Sequence, residues 1–218
     1  MITVYGAAGS GSAPVEATLR LIGEPYEVIE SVTYDPDDEA ARQRVGALNP
    51  LKQVPTLVLP SGETMTESAA ILIHLADTHP QARLAPARDD PRRAQFLRWM
   101  VYIPASIYAM FWVRDVPERL AGEDEARQED IRRRTADRIA DCWRMMDEQL
   151  TPAGPFIFGD ELSVLDIYVA VVSRWTPRRK RFYAAAPKLA EVVRRVDAEP
   201  RLAAFWAERM PFEDDWEG

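Results

Sequence analysis

The chain has 218 residues, enough for one large domain or two small ones. With 47% apolar residues and six tryptophans it reads as a packed globule rather than a disordered chain. A net charge of −8 argues against nucleic acid as a partner, because phosphate binding needs a basic surface. The first eighty residues alternate between strand and helix patterns. Ile2-Thr3-Val4-Tyr5 reads as a strand. A loop of small residues, 6–12, leads to Pro14, a favourable first-turn residue. Val15, Leu19 and Ile22 recur at helical spacing, and Gly23 supplies the stop. A second strand is predicted over 26–32 and a weak helix over 39–45. Two short strands, 56–59 and 64–66, flank a Ser61-Gly62 turn, and a helix follows over 68–77.

The order β-α-β-α-β-β-α predicts a small mixed sheet flanked by helices over residues 1–80. Residues 81–90 read as a linker rich in proline, alanine and charge. Residues 91–218 carry only helical patterns. A long helix is predicted over 92–120, bent at Pro104, where an internal hydrogen bond is lost. Further helices are predicted over 125–150, 163–175, 187–198 and 201–209, and the acidic tail over 213–218 reads as loose. The fold class is thus an α/β domain followed by an all-α domain. Two basic runs, Arg132-Arg133-Arg134 and Arg178-Arg179-Lys180-Arg181, read as solvated helix faces or loop.

A single cysteine, Cys142, excludes an intrachain disulfide. It falls in the helical stripe Ile131, Thr135, Ile139, Cys142, Met146, Leu150, so it reads as a core residue rather than a catalytic thiol. The N-terminus lacks a basic n-region and apolar h-region, so no signal peptide is expected. No apolar run approaches the ~18–20 residues that span a bilayer, and the expected location is the cytoplasm, with no membrane partner. Neither His74 nor His79 has a partner cluster, and no metal site is expected.

Three motifs remain: Asn49-Pro50-Leu51-Lys52-Gln53-Val54-Pro55-Thr56-Leu57, Thr66-Glu67-Ser68-Ala69-Ala70-Ile71, and Gly159-Asp160-Glu161-Leu162-Ser163-Val164-Leu165-Asp166. In this order and two-part layout the chain resembles the cytosolic glutathione S-transferases over essentially its whole length, with a pattern similar to bacterial, serine-type members or the nu-, theta- and beta-like branches. The resemblance implies a thioredoxin-like first domain, an all-helical second domain, glutathione as co-substrate and a homodimer. It implies that the peptide before Pro55 is cis, so that Val54 turns its N–H and C=O toward the cysteinyl unit of glutathione. Glu67 and Ser68 would bind the γ-glutamyl end, Ser68 through its hydroxyl and N–H, helped by the positive end of the helix. Gln53, with Lys52 beside it, would face the glycine end. The third motif is structural: Ser163 reads as an N-cap with Asp166 three residues on.

The family's chemistry is attack by glutathione's thiolate on an electrophile. A free thiol of pKa ~8.5 is mostly protonated at neutral pH, so a donor to the anion is needed. The candidates lie in Gly9-Ser10-Gly11-Ser12-Ala13-Pro14. Tyr5 is too early in the chain, and the loop has no cysteine for a beta- or omega-type mechanism. Counting back from Gly23 favours Ser10; counting from Pro14 favours Ser12. Ser10 is the first choice and Ser12 the second, the alternative being that both only cap the helix. The electrophile pocket is expected on the first helix of the second domain, at Tyr102, Tyr108, Phe111, Trp112 and Arg114, where an aromatic wall suits flat or apolar substrates. Two other functions fit the same residues: a glutathione-dependent disulfide reductase or peroxidase, and a non-catalytic binding or scaffold protein.

Overall fold

The computed structural model describes residues 1–35, 37–212 and 216–217. Strand β1 (Ile2–Gly6) buries alternate side chains, the period of two expected of a sheet. It pairs in parallel with β2 (Tyr26–Glu30) and antiparallel with β3 (Thr56–Val58), which pairs antiparallel with β4 (Thr64–Met65). The strand order is β2-β1-β3-β4. Helix α1 (Ala13–Ile22) joins β1 to β2 as the crossover that a parallel pair requires. Helices α2 (Glu39–Gly46) and α3 (Ser68–Thr78) complete the expected β-α-β-α-β-β-α order. Val15 and Leu19 of α1 and Ile71, Leu72 and Leu75 of α3 are fully buried, and α1 packs on α3. Gly23, in the left-handed region at φ 73°, closes α1 as the sequence predicts.

The chain clusters into two compact units. The first is Met1–Ala87 together with Asp197–Phe212; the second is Arg88–Val196, to which Trp216 and Glu217 attach. In the first unit a 3-10 turn, Pro200–Leu202, packs on α1.

The second unit is helical. α4 (Arg93–Tyr102), α5 (Phe111–Arg114) and α6 (Glu118–Ala121) precede the 25-residue α7 (Glu125–Gln149). α8 (Val164–Val172), α9 (Arg178–Ala185) and α10 (Pro187–Asp197) follow. α11 (Ala203–Arg209) returns to the first unit. The single long helix expected over 92–120 is broken. Around Pro104 the chain passes into a π-helical turn, Ile103–Ile107, and then a 3-10 turn, Tyr108–Met110. A proline that withholds its N–H is the usual cause of such a departure. The sequence expectation on membranes also needs correction. Arg93–Arg114, 22 residues, is by length and composition apolar enough to cross one. About a third of this stretch is buried, with Phe96, Trp99, Met100, Ile103, Ile107 and Phe111 as core side chains, and the core helix of a soluble protein meets the same criterion.

The two basic runs differ. Arg132, Arg133 and Arg134 lie on α7 and pair with Glu118, Glu129, Asp130 and Asp137, so this run is a solvated, neutralised face. In the second run Arg179 is wholly buried, against the expectation of a solvated segment. Its Nη2 donates to the Ala170 carbonyl at 2.7 Å, and its guanidinium lies 5.3 Å from the Trp216 ring centre. The Lys180 N–H donates to the Glu217 carbonyl at 2.8 Å, so these two tail residues are anchored; Glu213, Asp214, Asp215 and Gly218 of the expected loose tail lie outside the described residues. Cys142 is fully buried, its Sγ 3.4 Å from the Ser106 carbonyl, as a core residue should be.

Candidate active site

The loop between β1 and α1 is built around two buried hydroxyls. Ser12 comes so close to the end of β1 that a Cβ on Gly6 would lie 2.4 Å from its Oγ, so only glycine fits there. Ser12 occupies the N-cap position of α1, yet its side chain makes no capping bond. It donates instead to Oε1 of Glu16 at 2.7 Å and accepts from the Ala7 N–H at 3.1 Å. Its other possible acceptors, Ser10 Oγ at 3.0 Å and the Ala7 carbonyl at 3.2 Å, are farther, and a carboxylate is the stronger partner for one proton. Ser10 Oγ accepts two backbone N–H groups, from Ala7 at 3.3 Å and from Ser12 at 3.2 Å, and lies 3.0 Å from Ser12 Oγ. With the Ser12 proton committed to Glu16, Ser12 Oγ is left to accept from the Ser10 hydroxyl at 3.0 Å, so the Ser10 proton is the one that a ligand at this loop could redirect to itself. Ser12 is 0% exposed and Ser10 9%.

Behind the hydroxyls stands a charge cluster. The Glu16 side chain is 1% exposed and pairs with Arg209, whose Nε lies 2.7 Å from Oε2. Arg209 Nη1 lies 3.1 Å from Glu30 Oε2, and the other Glu30 oxygen accepts the Ala8 N–H at 3.0 Å. Burial alone would lower the pKa of Arg209, but hydrogen bonding and charge from Glu16 and Glu30 outweigh it and raise the value.

The second loop is held by Asn49. Its Nδ2 donates to the Gln53 carbonyl at 3.0 Å, and its Oδ1 accepts the Leu51 N–H at 3.1 Å. Thr56 Oγ1 donates to the same Gln53 carbonyl at 2.9 Å. Lys52 takes a positive φ of 54°, and both Lys52 and Gln53 are exposed. The Val54–Pro55 peptide is cis; Val54 is half-buried and Pro55 buried. Asn49→Ala should cost about 1–2 kcal/mol, because the Leu51 N–H and Gln53 carbonyl each lose a partner while Thr56 keeps one bond. Urea denaturation measures this; an unchanged midpoint would remove Asn49 as the latch.

The third segment begins α3. Glu67 is exposed and holds φ 64°, ψ 101°, a strained combination for a residue with a Cβ. Its carbonyl takes the Ile71 N–H at 3.0 Å. Ser68 follows as the first residue of the helix and is buried. Ser10, Ser12, Val54, Pro55, Glu67 and Ser68 all belong to the first unit.

The expected electrophile residues are distributed unevenly within the second unit. Tyr108 and Phe111 meet in an aromatic cluster with Trp175, at centroid separations of 4.9 Å for Tyr108–Trp175 and 5.5 Å for Phe111–Trp175. Tyr102 donates its hydroxyl to the Cys142 carbonyl at 3.0 Å; burial first, and the neighbouring Cys142 side chain second, raise its pKa. Trp112 is 54% exposed and stacks under Arg119. Arg114 is partly buried, its Nε without a partner among the described residues, and burial lowers its pKa. Ser163 and Asp166 form the capping box of α8. Among the described residues no group of three His, Cys, Asp or Glu side chains is placed to hold a metal.

Sequence reasoning assigned no role to Glu16, Arg209, Asn49 or Trp175. Glu16 was within reach, four residues after Ser12 and so on the same helix face. Asn49 sits inside a quoted motif. Arg209, 193 residues from Glu16, left no local signal.

Residues 12–78 match the family described as "Glutathione S-transferase, N-terminal domain", and residues 115–209 match "Glutathione S-transferase, C-terminal domain". The chain is 34% identical over 202 residues to the uncharacterized GST-like protein YncG of Escherichia coli K12, covering 93% of this chain and 95% of the relative. A glutathione transferase homologue from Sulfitobacter with bound glutathione superposes at TM-score 0.81, with 25% identity over 97% of this chain and 99% of that one. A sphingomonad glutathione S-transferase complexed with glutathione gives 0.75 and 27% identity over 96% and 100%.

Proposed function

This chain belongs to the glutathione S-transferase family, and from that premise we propose how its residues divide the work on glutathione. It is a transferase that uses glutathione as co-substrate, and its fold is a thioredoxin-like unit with an all-helical one. Ser10 donates its hydroxyl hydrogen to the glutathione sulfur and stabilises the thiolate. The observation that carries this is the hydrogen-bond direction in the loop: Ser12 spends its proton on Glu16, while two backbone N–H groups polarise Ser10 Oγ and strengthen its O–H as a donor. Ser12 is the scaffold that holds Ser10.

The remaining contacts follow the geometry of the other two segments. Val54, at the cis Val54–Pro55 peptide, offers its backbone to the cysteinyl unit. Ser68, at the N-terminus of the eleven-residue α3, takes the γ-glutamyl carboxylate, where the positive end of the helix dipole favours an anion. The strained backbone at Glu67 presents that end of the helix. Lys52 and Gln53, both exposed, take the glycine end. A small apolar or aromatic electrophile suits the cluster of Tyr108, Phe111 and Trp175. A cytoplasmic homodimer, with neither nucleic acid nor membrane as partner, completes the reading; the net charge of −8 supports the first of those exclusions.

Calorimetric titration with reduced glutathione tests the site. The wild type should bind saturably. Ser68→Ala should bind about tenfold or more weakly, since a hydrogen bond to a charged group contributes ~1.5–3 kcal/mol. Absence of binding to folded wild-type protein, or an unchanged affinity in the variant, would remove this assignment.

A further inference from the structure

We propose that Arg209, at the end of α11, is a positioning residue for the thiol site: it neutralises buried Glu16 and fixes the loop that carries Ser10, and thereby sets how readily bound glutathione ionises. The inference rests on the reading of Ser10 as the thiolate donor. Three bonds from one residue reach Gly9 and Glu16, at the two ends of the loop and first helical turn. The Arg209 carbonyl accepts the Gly9 N–H at 2.8 Å, where Gly9 adopts a φ of 70° that favours glycine. Its guanidinium makes two bonds to Glu16, Nε to Oε2 at 2.7 Å and Nη2 to Oε1 at 3.3 Å. A third nitrogen meets Glu30, which in turn holds the Ala8 N–H. Ala8 and Gly9 immediately precede Ser10, and Glu16 holds Ser12.

Charge gives this arrangement its consequence. Glu16 Oε1 is 2.7 Å from Ser12 Oγ, which is 3.0 Å from Ser10 Oγ. A carboxylate two hydrogen bonds from the sulfur's donor repels a thiolate, more strongly in a water-poor site than in bulk solvent. Arg209 cancels that charge and leaves Glu16 as an acceptor that orients Ser12. Among the described residues the charged groups around the pair are Glu30 at the end of β2, Arg44, whose Nη1 donates to the Glu30 carbonyl at 3.0 Å, and Glu208, next to Arg209 in the chain and engaged with Arg20 of α1 at 2.6 Å. Arginine suits the task because its planar fork meets two carboxylates at once.

The test is the pKa of the glutathione thiol in the binary complex, read from thiolate absorbance against pH, with affinity measured separately using S-methylglutathione. Arg209→Met keeps the stem and loses the charge. It should raise the bound thiol pKa by about one unit, a tenfold smaller thiolate-to-thiol ratio at fixed pH, while S-methylglutathione binds within about twofold of wild type. Glu16→Gln removes the opposite charge and should move the thiol pKa downward. Arg209→Met with Glu16→Gln should lie between the two single variants. Opposite shifts from the two halves of one ion pair are not produced by a merely structural link, which would shift both the same way or neither. A wild-type thiol that is clearly lowered, but unmoved by Arg209→Met, overturns this proposal alone. A wild-type thiol with no lowering, or one that Ser10→Ala leaves in place, overturns the thiol-site reading together with it. Should Arg209→Met not fold, Glu16→Gln decides: an unchanged or raised thiol pKa in that variant overturns the proposal.

Discussion

Ser10→Ala should bind glutathione about as well as the wild type and yet lose on the order of 100-fold in kcat/KM at neutral pH, with the bound thiol returning toward the ~8.5 of a free thiol. The magnitude follows from what the site must supply. Lowering a thiol pKa by about two units needs ~2.7 kcal/mol of preference for the anion, and one hydrogen bond to a charged acceptor supplies ~1.5–3 kcal/mol. One hydroxyl therefore accounts for nearly all of it. In the proposed assignment that hydroxyl is Ser10, because Ser12 gives its proton to Glu16. Ser12→Ala should behave differently. It strips a donor from a buried carboxylate, so its first effect is on stability, about 1–3 kcal/mol, and its effect on the thiol follows through displacement of Ser10. A pH–rate profile of kcat/KM for an aromatic electrophile separates the two. If the acidic limb moves up in Ser12→Ala and stays in place in Ser10→Ala, the roles are reversed.

Local patterns carried the reading of the first unit. The strand pattern Ile2-Thr3-Val4-Tyr5, the Gly23 stop and the Ser61-Gly62 turn are all signals of a few residues, and β-α-β-α-β-β-α stands in the structure. The motifs around Pro55 and Ser68 could be named because their residues are contiguous. Non-local relations were not readable in the same way. Apolar spacing over 92–120 continues unbroken while the backbone departs into π and 3-10 turns at Pro104; spacing records which faces are apolar, not which hydrogen bonds survive. Arg179 reads as surface charge in a run of four basic residues, and only the fold brings Ala170 and Trp216 to it. The choice between Ser10 and Ser12 could not be made by counting residues. It turns on which acceptor takes a proton, and that depends on Glu16 and on an arginine 193 residues farther along the chain.

Asp166→Ala should be among the most destabilising single changes in the second unit, about 3 kcal/mol or more. The carboxylate is completely buried and accepts the Ile157 N–H at 2.8 Å, the Ser163 N–H at 2.8 Å and the Ser163 hydroxyl. Truncation leaves two buried N–H groups without this partner, at about 1–3 kcal/mol each, and removes the capping box that starts α8. Asp166→Asn tests the charge itself. Burial pushes the Asp166 carboxyl up to about 6, with the hydrogen bonds from Ser163 and Ile157 holding it from going higher. Its unfolded value is ~3.9. Between these two values the folded protein keeps a proton that the unfolded chain has released, so stability from this group is fully present below ~3.9 and is lost as pH rises through about 6. A protonated carboxyl loses little there, since it donates to Ser163 Oγ while its other oxygen still accepts from Ile157. Urea denaturation of wild type and Asp166→Asn at pH 4 and pH 7 should therefore give a stability difference in favour of wild type that is larger at pH 4, by on the order of 2 kcal/mol. A difference that is constant with pH, or larger at pH 7, would mean that Asp166 stays ionised throughout and that its three donors outweigh its burial.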